Sequence, residues 1–356
     1  MKYLKCLFLA LAILALGLEN VHAQYVTTHA KAAMPGQQRG IYYSLPRTVL
    51  QLDFVIEETQ MLQGPYSEYV HLVGAEDYVV EDETVYKIKE VRMNTRAEAD
   101  PNATFFVSMS PKKDNTATFC LTPQGILQGV GVECPQPVQV PFVAPCGTQE
   151  AVTDAGFKYQ YGAGNVRGAE QMARSAAEMI NKIRDEKLKL ITGFQETAFN
   201  LDTYRQMYAD LDAMENDYLS LFVGKKNSKT MVKTIYVTPN KEVNTQSIAK
   251  FSPEEGLSIG MGGYGNVITV QTQSLQTTAT MNAPSLSAVE SLSLDNKLFY
   301  RIPELANVKV SIGDQVLVER RETIAQLGVF MLAPLGNTRL SLDPNTGQVT
   351  SVGMEN

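Results

Sequence analysis

The chain has 356 residues, 44% of them hydrophobic, and its formal net charge is −7 at pH 7. A hydrophobic fraction of this size excludes a disordered chain, because disordered segments have too few apolar residues to bury. A mildly acidic chain with scattered charges also lacks the basic patch that nucleic-acid binding requires. The length suggests two domains.

Residues 1–23 predict a signal peptide. Lys2 and Lys5 form a short basic region, an uncharged apolar run covers 7–18, and a small-residue cleavage site ends at Ala23. The apolar run has about 12 residues, whereas a membrane-spanning helix needs roughly 20. We therefore expect cleavage after Ala23 and an exported protein, periplasmic or extracellular, with no transmembrane segment after cleavage.

A flexible lead-in is expected over 24–40, followed by an N-terminal β-rich region over 41–132. Apolar and polar residues alternate in the stretch 43–58, which is typical of a half-buried strand. Pro46 has no backbone N–H and therefore suits an end or an edge of that strand. One short helix is predicted over 64–74. Further strands are expected at 84–91, at 103–110 and in a hairpin within 116–132.

Residues 133–166 predict a linker rich in proline and glycine. The prolines of its first half prevent regular helix and sheet pairing. They are Pro135, Pro137, Pro141 and Pro145. Gly162, Gly164 and Gly168 then follow an apparent strand and precede a helix, as in a dinucleotide-binding loop. No βαβ unit follows them, so we expect a simple loop and no cofactor.

Two long helices are predicted next, over 167–192 and about 202–223, because apolar residues recur at helical spacing in both. Their connection is short, so we expect an antiparallel helical hairpin over 167–224 that packs on itself and on a sheet rather than on a partner or a lipid. Strands return in a C-terminal β-rich region, 225–356. The predicted fold is α+β and mainly β, with two antiparallel β regions separated by a long antiparallel helical hairpin.

The few histidines and cysteines argue against metal and nucleophile chemistry. His29 falls in the lead-in, which is expected to be mobile, and His71 lies among apolar residues, where a packing role is expected. Zinc sites need several Cys or His ligands at short spacing, and a catalytic triad would have to use His71. Cys134 and Cys146 are the favoured disulfide pair, and three free thiols including Cys120 are the alternative. We assign no catalytic, cofactor-binding or metal-ligating residue.

One acidic cluster leaves carboxylate chemistry open. It comprises Glu76, Asp77, Glu81, Asp82 and Glu83. Glycoside hydrolysis uses two carboxyl groups roughly 5 to 9.5 Å apart in a cleft, and no spacing in the sequence identifies such a pair. A charged loop that faces water is the favoured interpretation.

Several stretches appear together and in a fixed order. They are YSLPRTVLQLDF, GPYSEYV, LTPQGIL, MINKIRDEKLKLITG, ENDYLSLFVGK, FSPEEGL, YRIPELANVKV and IAQLGVFMLAP. In combination they resemble a family of uncharacterised exported proteins from Bacteroides-type bacteria, classed as a domain of unknown function. The resemblance extends over residues 40–355. It implies an exported protein of unknown role and supplies no functional residue.

The favoured function is an exported, non-catalytic binding or envelope-assembly protein, because sheet edges and tyrosine-rich segments are usable recognition surfaces. Its partner would be a protein or a glycan of the cell envelope and not a nucleic acid. The alternatives are a carboxylate-dependent glycan hydrolase and a carbohydrate-binding protein. The second alternative would need a platform of exposed tyrosines, because the chain has 16 tyrosines and no tryptophan.

Overall fold

Strands dominate the computed structural model, at 53% of the structure against 22% for helix. The β-rich character expected from the sequence is thereby confirmed. The structure describes residues 24–33, 39–110, 118–135, 157, 168–192, 200–241, 244–260, 262–336 and 338–354. The predicted signal peptide and most of the predicted linker lie outside these residues.

Within these ranges the strands are β1 (Tyr25–His29), β2 (Gly40–Leu62), β3 (Glu83–Met109), β4 (Phe119–Leu121), β5 (Leu127–Val130), β6 (Lys225–Val237), β7 (Thr245–Ser252), β8 (Gly256–Ile259), β9 (Asn266–Ser274), β10 (Ser293–Asp295), β11 (Lys297–Ile312), β12 (Gln315–Pro334), β13 (Thr338–Leu342) and β14 (Val349–Met354). The α-helices are α1 (Ala169–Thr192), α2 (Leu201–Val223) and α3 (Leu286–Ser291), and 3-10 helices cover Ala30–Ala32 and Ser67–Leu72. Among the described helices, none combines the length and the apolar character needed to cross a bilayer.

The strands form three sheets that mix both halves of the chain. Sheet 1 has the order β10-β1-β3-β2-β6, sheet 2 the order β12-β11-β9-β7-β8, and sheet 3 the order β14-β13-β5-β4. Strands that precede α1 therefore pair with strands that follow α2: β1 with β10, β2 with β6, and β5 with β13. The predicted fold class, two β regions separated by a long antiparallel helical hairpin, is wrong. Alternation of apolar residues indicates a strand, but it does not indicate which other strand pairs with it.

Helices occupy both segments in which they were predicted. They pack together with the 3-10 helix Ser67–Leu72, which follows β2, and share one apolar cluster with it. The Lys187 ammonium of α1 donates to Asp212 and Glu215 of α2, each at 2.7 Å. The turn of the predicted hairpin would fall in 193–199, which lies outside the described residues. The second helix lies next to the segment that follows β2, with the Tyr66 N–H donating to the Leu221 carbonyl at 2.8 Å, and the two helices do not divide the β-structure into two parts.

Two long hairpins, β2–β3 and β11–β12, bend in the same way beside a proline. Four residues of β3, 100–103, oppose Leu45 alone, next to Pro46. Four residues of β12, 325–328, oppose Pro303 alone. Such bulges bend a strand and allow a proline to lie inside a sheet, because the ladder hydrogen bond is already interrupted there. The expectation that Pro46 marks the end of a strand is therefore wrong, because β2 begins at Gly40. The alternative, an edge, holds locally, because the pairing of β2 with β6 begins only at Leu50.

The two bends separate two apolar cores. The first core joins the far halves of β2 and β3 to sheet 2, and it includes Leu50, Leu52, Phe54, Ile56, Ile268, Val308, Val310 and Ile324. The second core lies beyond the bends, with sheet 3 and α3, and it includes Tyr25, Tyr43, Phe105, Leu127, Phe299, Phe330 and Leu340. Between the cores, the same strands carry the buried polar residues Thr48, Asp100, Arg301 and Glu304. A buried polar layer is stable only when its groups find hydrogen-bond partners.

The first part of the expected flexible lead-in is a buried strand. Tyr25 and Thr27 of β1 are 1% and 0% exposed, and β1 lies between β10 and β3. The Nδ1 atom of His29 accepts from the Lys31 N–H at 3.2 Å, so its Nε2–H donates to the Asn102 carbonyl at 3.1 Å. The expected mobility of His29 is therefore wrong. A five-residue strand carries too little periodicity to be recognised without its two neighbours.

Cys120 and Cys134 form a disulfide, with their Cα atoms 5.0 Å apart. The favoured pairing of Cys134 with Cys146 is therefore wrong, and Cys146 lies outside the described residues. Cys120 belongs to β4 and Cys134 follows β5, so the β4–β5 hairpin brings the two together. That hairpin was predicted from the sequence and is confirmed; Gly125, with φ 82°, lies in its turn.

Candidate functional site

A cavity of about 780 Å³ opens where the two bends face each other, and we call it the main cavity. Its volume falls in the range of roughly 300 to 1,000 Å³ that is usual for small-molecule sites. The bulges of β3 and β12 form part of its wall, together with the residues that follow β6 and the segment 278–286. The lining includes apolar groups such as Met281 and Phe330 and several charged groups.

Arg301 ties the two bends together beneath the main cavity. Its Nη1 donates to the Pro46 carbonyl at 2.6 Å and its Nη2 donates to Asp100 Oδ2 at 2.9 Å. The guanidinium carbon lies 4.9 Å from the centre of the Phe330 ring. The second Asp100 oxygen accepts from the Asn102 N–H at 3.0 Å. Burial lowers the pKa of Arg301, and the Asp100 charge opposes that shift. The contacts of Arg301 with Pro46 and Asp100 fix the position of its side chain in the cavity wall.

A second link joins the bulge of β12 to β2. The Thr48 N–H donates to Gln326 Oε1 at 2.8 Å, and Gln326 Nε2 donates back to the Thr48 carbonyl at 2.8 Å. The Ala325 N–H donates to Thr48 Oγ1 at 2.9 Å. A Cβ atom on Gly328 would collide with the Ile302 carbonyl, so this position of the bulge requires glycine. The bulge therefore obtains from β2 the hydrogen bonds that β11 does not provide.

Positive charge exceeds negative charge around the main cavity. Arg47, Lys241 and Arg301 line it, and Asp100 is the acidic residue among its lining. Asp100 is already bound to Arg301. Arg47 is paired with Glu98 at 3.1 Å. Of these three lining cations, Lys241 is the one that forms no salt bridge with a carboxylate in the described part of the chain.

Lys241 lies at the mouth of the main cavity. Its Nζ donates to the Gly328 carbonyl of the β12 bulge at 2.7 Å. The residue as a whole is exposed, but its ammonium end is partly buried against the wall. That burial lowers the pKa of Lys241, the charge of Arg301 lowers it further, and the charge of Glu304 opposes both effects. An anion bound at this ammonium would favour its charged form.

A second cavity of about 420 Å³ adjoins the first, and we call it the second cavity. The two cavities share a wall. Residues that line both are Asn240, Lys241, Thr278, Ala279 and Leu327. The ammonium of Lys241 is thus available to a ligand in either cavity or to one that occupies both.

Glu304 fixes the loop that borders the second cavity. Its buried carboxylate accepts from the N–H and the hydroxyl of Thr277, at 2.7 and 3.0 Å, and from the N–H and the hydroxyl of Thr278, at 3.0 and 2.5 Å. Gln276 has φ 59°, in the left-handed region, and directs the two following N–H groups to the same carboxylate. Burial alone would raise the pKa of Glu304, but these hydrogen bonds outweigh it and leave the pKa below its ordinary value.

The five carboxylates considered for glycan hydrolysis do not form a site with these cavities. Glu76, Asp77, Glu81, Asp82 and Glu83 are all exposed, and they line none of the described cavities.

Each described cavity, taken alone, is lined by a single carboxylate. One acidic residue lines each of the main cavity, the second cavity and a third cavity of about 400 Å³: Asp100, Glu304 and Glu322, respectively. Within the described ranges, no group of three or more His, Cys, Asp or Glu residues could hold a metal ion.

The remaining residues considered from the sequence are scattered over the surface. His71 is exposed in the 3-10 helix after β2, so the expected packing role is wrong. Among the described residues four tyrosines are also exposed, namely Tyr42, Tyr78, Tyr236 and Tyr264. Tyr42 belongs to β2, Tyr236 belongs to β6, and the other two lie in separate loops. The described structure does not assemble these tyrosines into one platform.

Arg301, Lys241 and Glu304 were missed because each resembles an ordinary charged residue in a strand or a turn. One repeated signal could have located the bends. The pattern Tyr-x-x-Pro occurs at Tyr43 to Pro46 and again at Tyr300 to Pro303, at corresponding places of the two hairpins.

Comparison with known families gives one match. A family model described as a domain of unknown function (DUF4831) matches residues 39–350. The chain matches no curated protein. It matches no solved structure.

Proposed function

The chain belongs to the DUF4831 family, a domain of unknown function, and from its geometry we propose that it is a non-catalytic binding protein whose ligand presents an anionic group to Lys241. The observation that carries this proposal is the excess of cationic side chains around a cavity of ligand size, in a chain whose net charge is −7. A local positive site in an acidic protein attracts anions selectively.

Lys241 carries the proposal because its ammonium forms no salt bridge with a carboxylate of the described residues, and the charge of Glu304 acts on it at longer range. Its Nζ has one hydrogen bond, to a backbone carbonyl, whereas an ammonium has three donors. A ligand carboxylate would accept from the remaining donors and supply the opposite charge. A hydrogen bond of this charge-assisted kind contributes about 1.5–3 kcal/mol, and less at an exposed position, where water screens the charge.

The state of the carboxylates favours binding over hydrolysis. Both oxygens of Asp100 are occupied, by Arg301 and by the Asn102 N–H. Glu304 accepts four hydrogen bonds, and its lowered pKa keeps it ionised at neutral pH. A general acid needs a raised pKa and a proton to give, and the lowered pKa of Glu304 does not meet these conditions.

The proposal includes export. The Cys120–Cys134 disulfide supports it, because disulfides persist in oxidising compartments, and residues 1–23 have the composition of a signal peptide. The intact mass of protein purified from cells that produce it is the test. We expect the mass of a chain that begins at Gln24. Retention of 1–23 in the accumulated protein, together with reduced cysteines, would contradict export.

Calorimetric titration with cyclohexanecarboxylate and with its uncharged carboxamide tests the anionic requirement. We expect the wild-type protein to bind the carboxylate and to bind the carboxamide at least tenfold more weakly. Lys241→Met should weaken carboxylate binding by about tenfold, since 1.4 kcal/mol corresponds to one decade. Lys182→Met is the matched control, because Lys182 is exposed on α1 and lines none of the described cavities.

The pH dependence has a defined sign. The charged ammonium is the form that attracts the anion, so affinity should fall as the pH rises through the pKa of Lys241. Because that pKa is lowered from its ordinary value of 10.5, the fall should begin at a lower pH than for an unperturbed lysine. Equal affinity of the carboxylate for the wild type and for a folded Lys241→Met variant would overturn the proposed function.

A further inference from the structure

The second cavity differs from the main cavity in the chemistry of its lining. Outside the shared wall it is lined by Asn244, Thr272, Ser274, Gln276 and Glu304. All of these except Glu304 carry a hydroxyl or an amide, and such groups both donate and accept hydrogen bonds. An apolar ligand would displace water from these groups without replacing its hydrogen bonds, which is unfavourable. A ligand with several hydroxyls offers donors and acceptors of the same kind.

One hydroxyl of this lining has no partner within the described part of the chain. Thr272, on β9, is 6% exposed. Its N–H donates to the Asn244 carbonyl at 2.7 Å, but its Oγ1 takes part in none of the hydrogen bonds between described residues. Since Thr272 is part of the cavity lining, this hydroxyl is left to hydrogen-bond with whatever occupies the second cavity. A ligand hydroxyl in the second cavity would provide a partner.

The border of the second cavity is fixed before any ligand arrives. Gln276 holds a left-handed backbone conformation, which is unfavourable for a residue with a Cβ atom. The four hydrogen bonds from Thr277 and Thr278 to Glu304 stabilise this conformation. Each Glu304 oxygen already accepts two of them, so Glu304 acts as a positioning residue. A preformed site loses less conformational entropy when the ligand binds.

From these observations we infer that the ligand is a carboxylated sugar, with its ring hydroxyls in the second cavity and its carboxylate at Lys241. The inference rests on the proposed function and narrows the ligand to one chemical class. Lys241 lies in the wall that the two cavities share. A small ligand in the second cavity can therefore contact the Lys241 ammonium with a carboxylate and the polar lining with its hydroxyls. A neutral sugar would leave the ammonium without an anion, and a simple carboxylate would make no hydrogen bond to the Thr272 hydroxyl.

A carboxylated sugar could be free or could belong to an acidic polysaccharide, and the recognised chemistry is the same. The main cavity is open beside the second one and has space for a neighbouring sugar. Titration with galacturonate and with digalacturonate separates the two sources. Tighter binding of the disaccharide would identify a polymer, and equal binding would identify the free sugar.

The decisive experiment compares three matched probes by calorimetry: galacturonate, galactose, which lacks the carboxylate, and cyclohexanecarboxylate, which lacks the hydroxyls. We expect galacturonate to bind at least tenfold more tightly than either of the others. Thr272→Val should weaken galacturonate binding about fivefold to tenfold, because one hydrogen bond is worth roughly 1 kcal/mol. The same variant should leave cyclohexanecarboxylate binding and the melting temperature unchanged. Thr203→Val, at an exposed position of α2, is the control.

The outcomes separate this inference from the proposed function. Binding of cyclohexanecarboxylate that equals that of galacturonate and depends on Lys241 would overturn the sugar inference and leave the proposed function standing. Galactose binding that equals galacturonate binding and is insensitive to Lys241→Met would overturn both. An unchanged affinity of the Thr272→Val variant for galacturonate would remove the assignment of the sugar to the second cavity.

Discussion

Replacement of Arg301 by methionine should destabilise the protein strongly, because it leaves the Asp100 charge buried without its partner. The two side chains are 4% and 9% exposed, and breaking such a pair from one side costs about 3–5 kcal/mol. Arg301→Met also removes the hydrogen bond to the Pro46 carbonyl and the contact with the Phe330 ring. We therefore expect a loss near the upper end of that range.

The measurement is equilibrium unfolding in urea, followed by far-ultraviolet circular dichroism because the chain has no tryptophan. The double variant Arg301→Met with Asp100→Asn removes both charges at once. It should lose less stability than the two single variants added together, by about 1–3 kcal/mol. Arg174→Met is the control, because its pair with Glu170 on α1 is 60% and 59% exposed, and exposed helix pairs contribute only about 0.3–0.5 kcal/mol.

Arg301→Lys sharpens the test because it keeps the charge and loses the planar geometry. A lysine cannot reach Pro46 and Asp100 with two fixed donors at once, so we expect an intermediate loss. The reasoning would be refuted if Arg301→Met cost no more than Arg174→Met, or if the losses of Arg301→Met and Asp100→Asn were additive in the double variant.

Three further predictions concern the loop of the second cavity and the disulfide. Glu304→Gln should cost about 2–4 kcal/mol at neutral pH, since charge-assisted hydrogen bonds are lost. The lowered pKa of Glu304 means that its contribution is present above the ordinary value of 4.5 and is lost as the pH falls through the folded-state pKa. The urea midpoints of wild type and variant should therefore converge in acid, and a constant difference would contradict the assignment. Gln276→Gly should raise stability by up to about 1 kcal/mol in the same assay, because glycine adopts the left-handed conformation freely; Gln276→Ala is the control and should bring no gain. Reduction of the Cys120–Cys134 bond, which spans 14 residues, should cost about 2–4 kcal/mol, and a variant with both cysteines replaced by serine should not respond to the reductant.

The repeated bend is the structural basis of the predictions for Arg301 and Glu304. At each bend, extra residues of the neighbouring strand lie opposite a proline, Pro303, or the residue before one, Leu45, and backbone groups near the bend bind to the other hairpin instead. Thr48 and Gln326 make one set of these bonds, and Arg301 makes the other. The main cavity is thus a consequence of how two bent hairpins meet, and its charged wall is held by the same contacts that hold the fold.

Local features of the fold could be predicted from the sequence. The strand at 43–58, the hairpin around Gly125 and the helices near 169–192 and 201–223 were identified by periodicity and turn residues. These signals are local, because side chains alternate along a strand and recur every third or fourth residue along a helix. The sequence also established the β-rich composition and the family resemblance over most of the chain.

Sheet partners, the disulfide and the site were decided only by the tertiary structure. The sequence of β1 predicts a flexible segment, because the order of this strand comes from β10 and β3, which are distant in sequence. Arg301 and Asp100 are 201 positions apart, and Lys241 meets the bulge of β12 at Gly328, 87 positions away. Contacts over such separations depend on which strands pair and where they bend. Periodicity carries no information about that choice, because every amphipathic strand can in principle pair with any other.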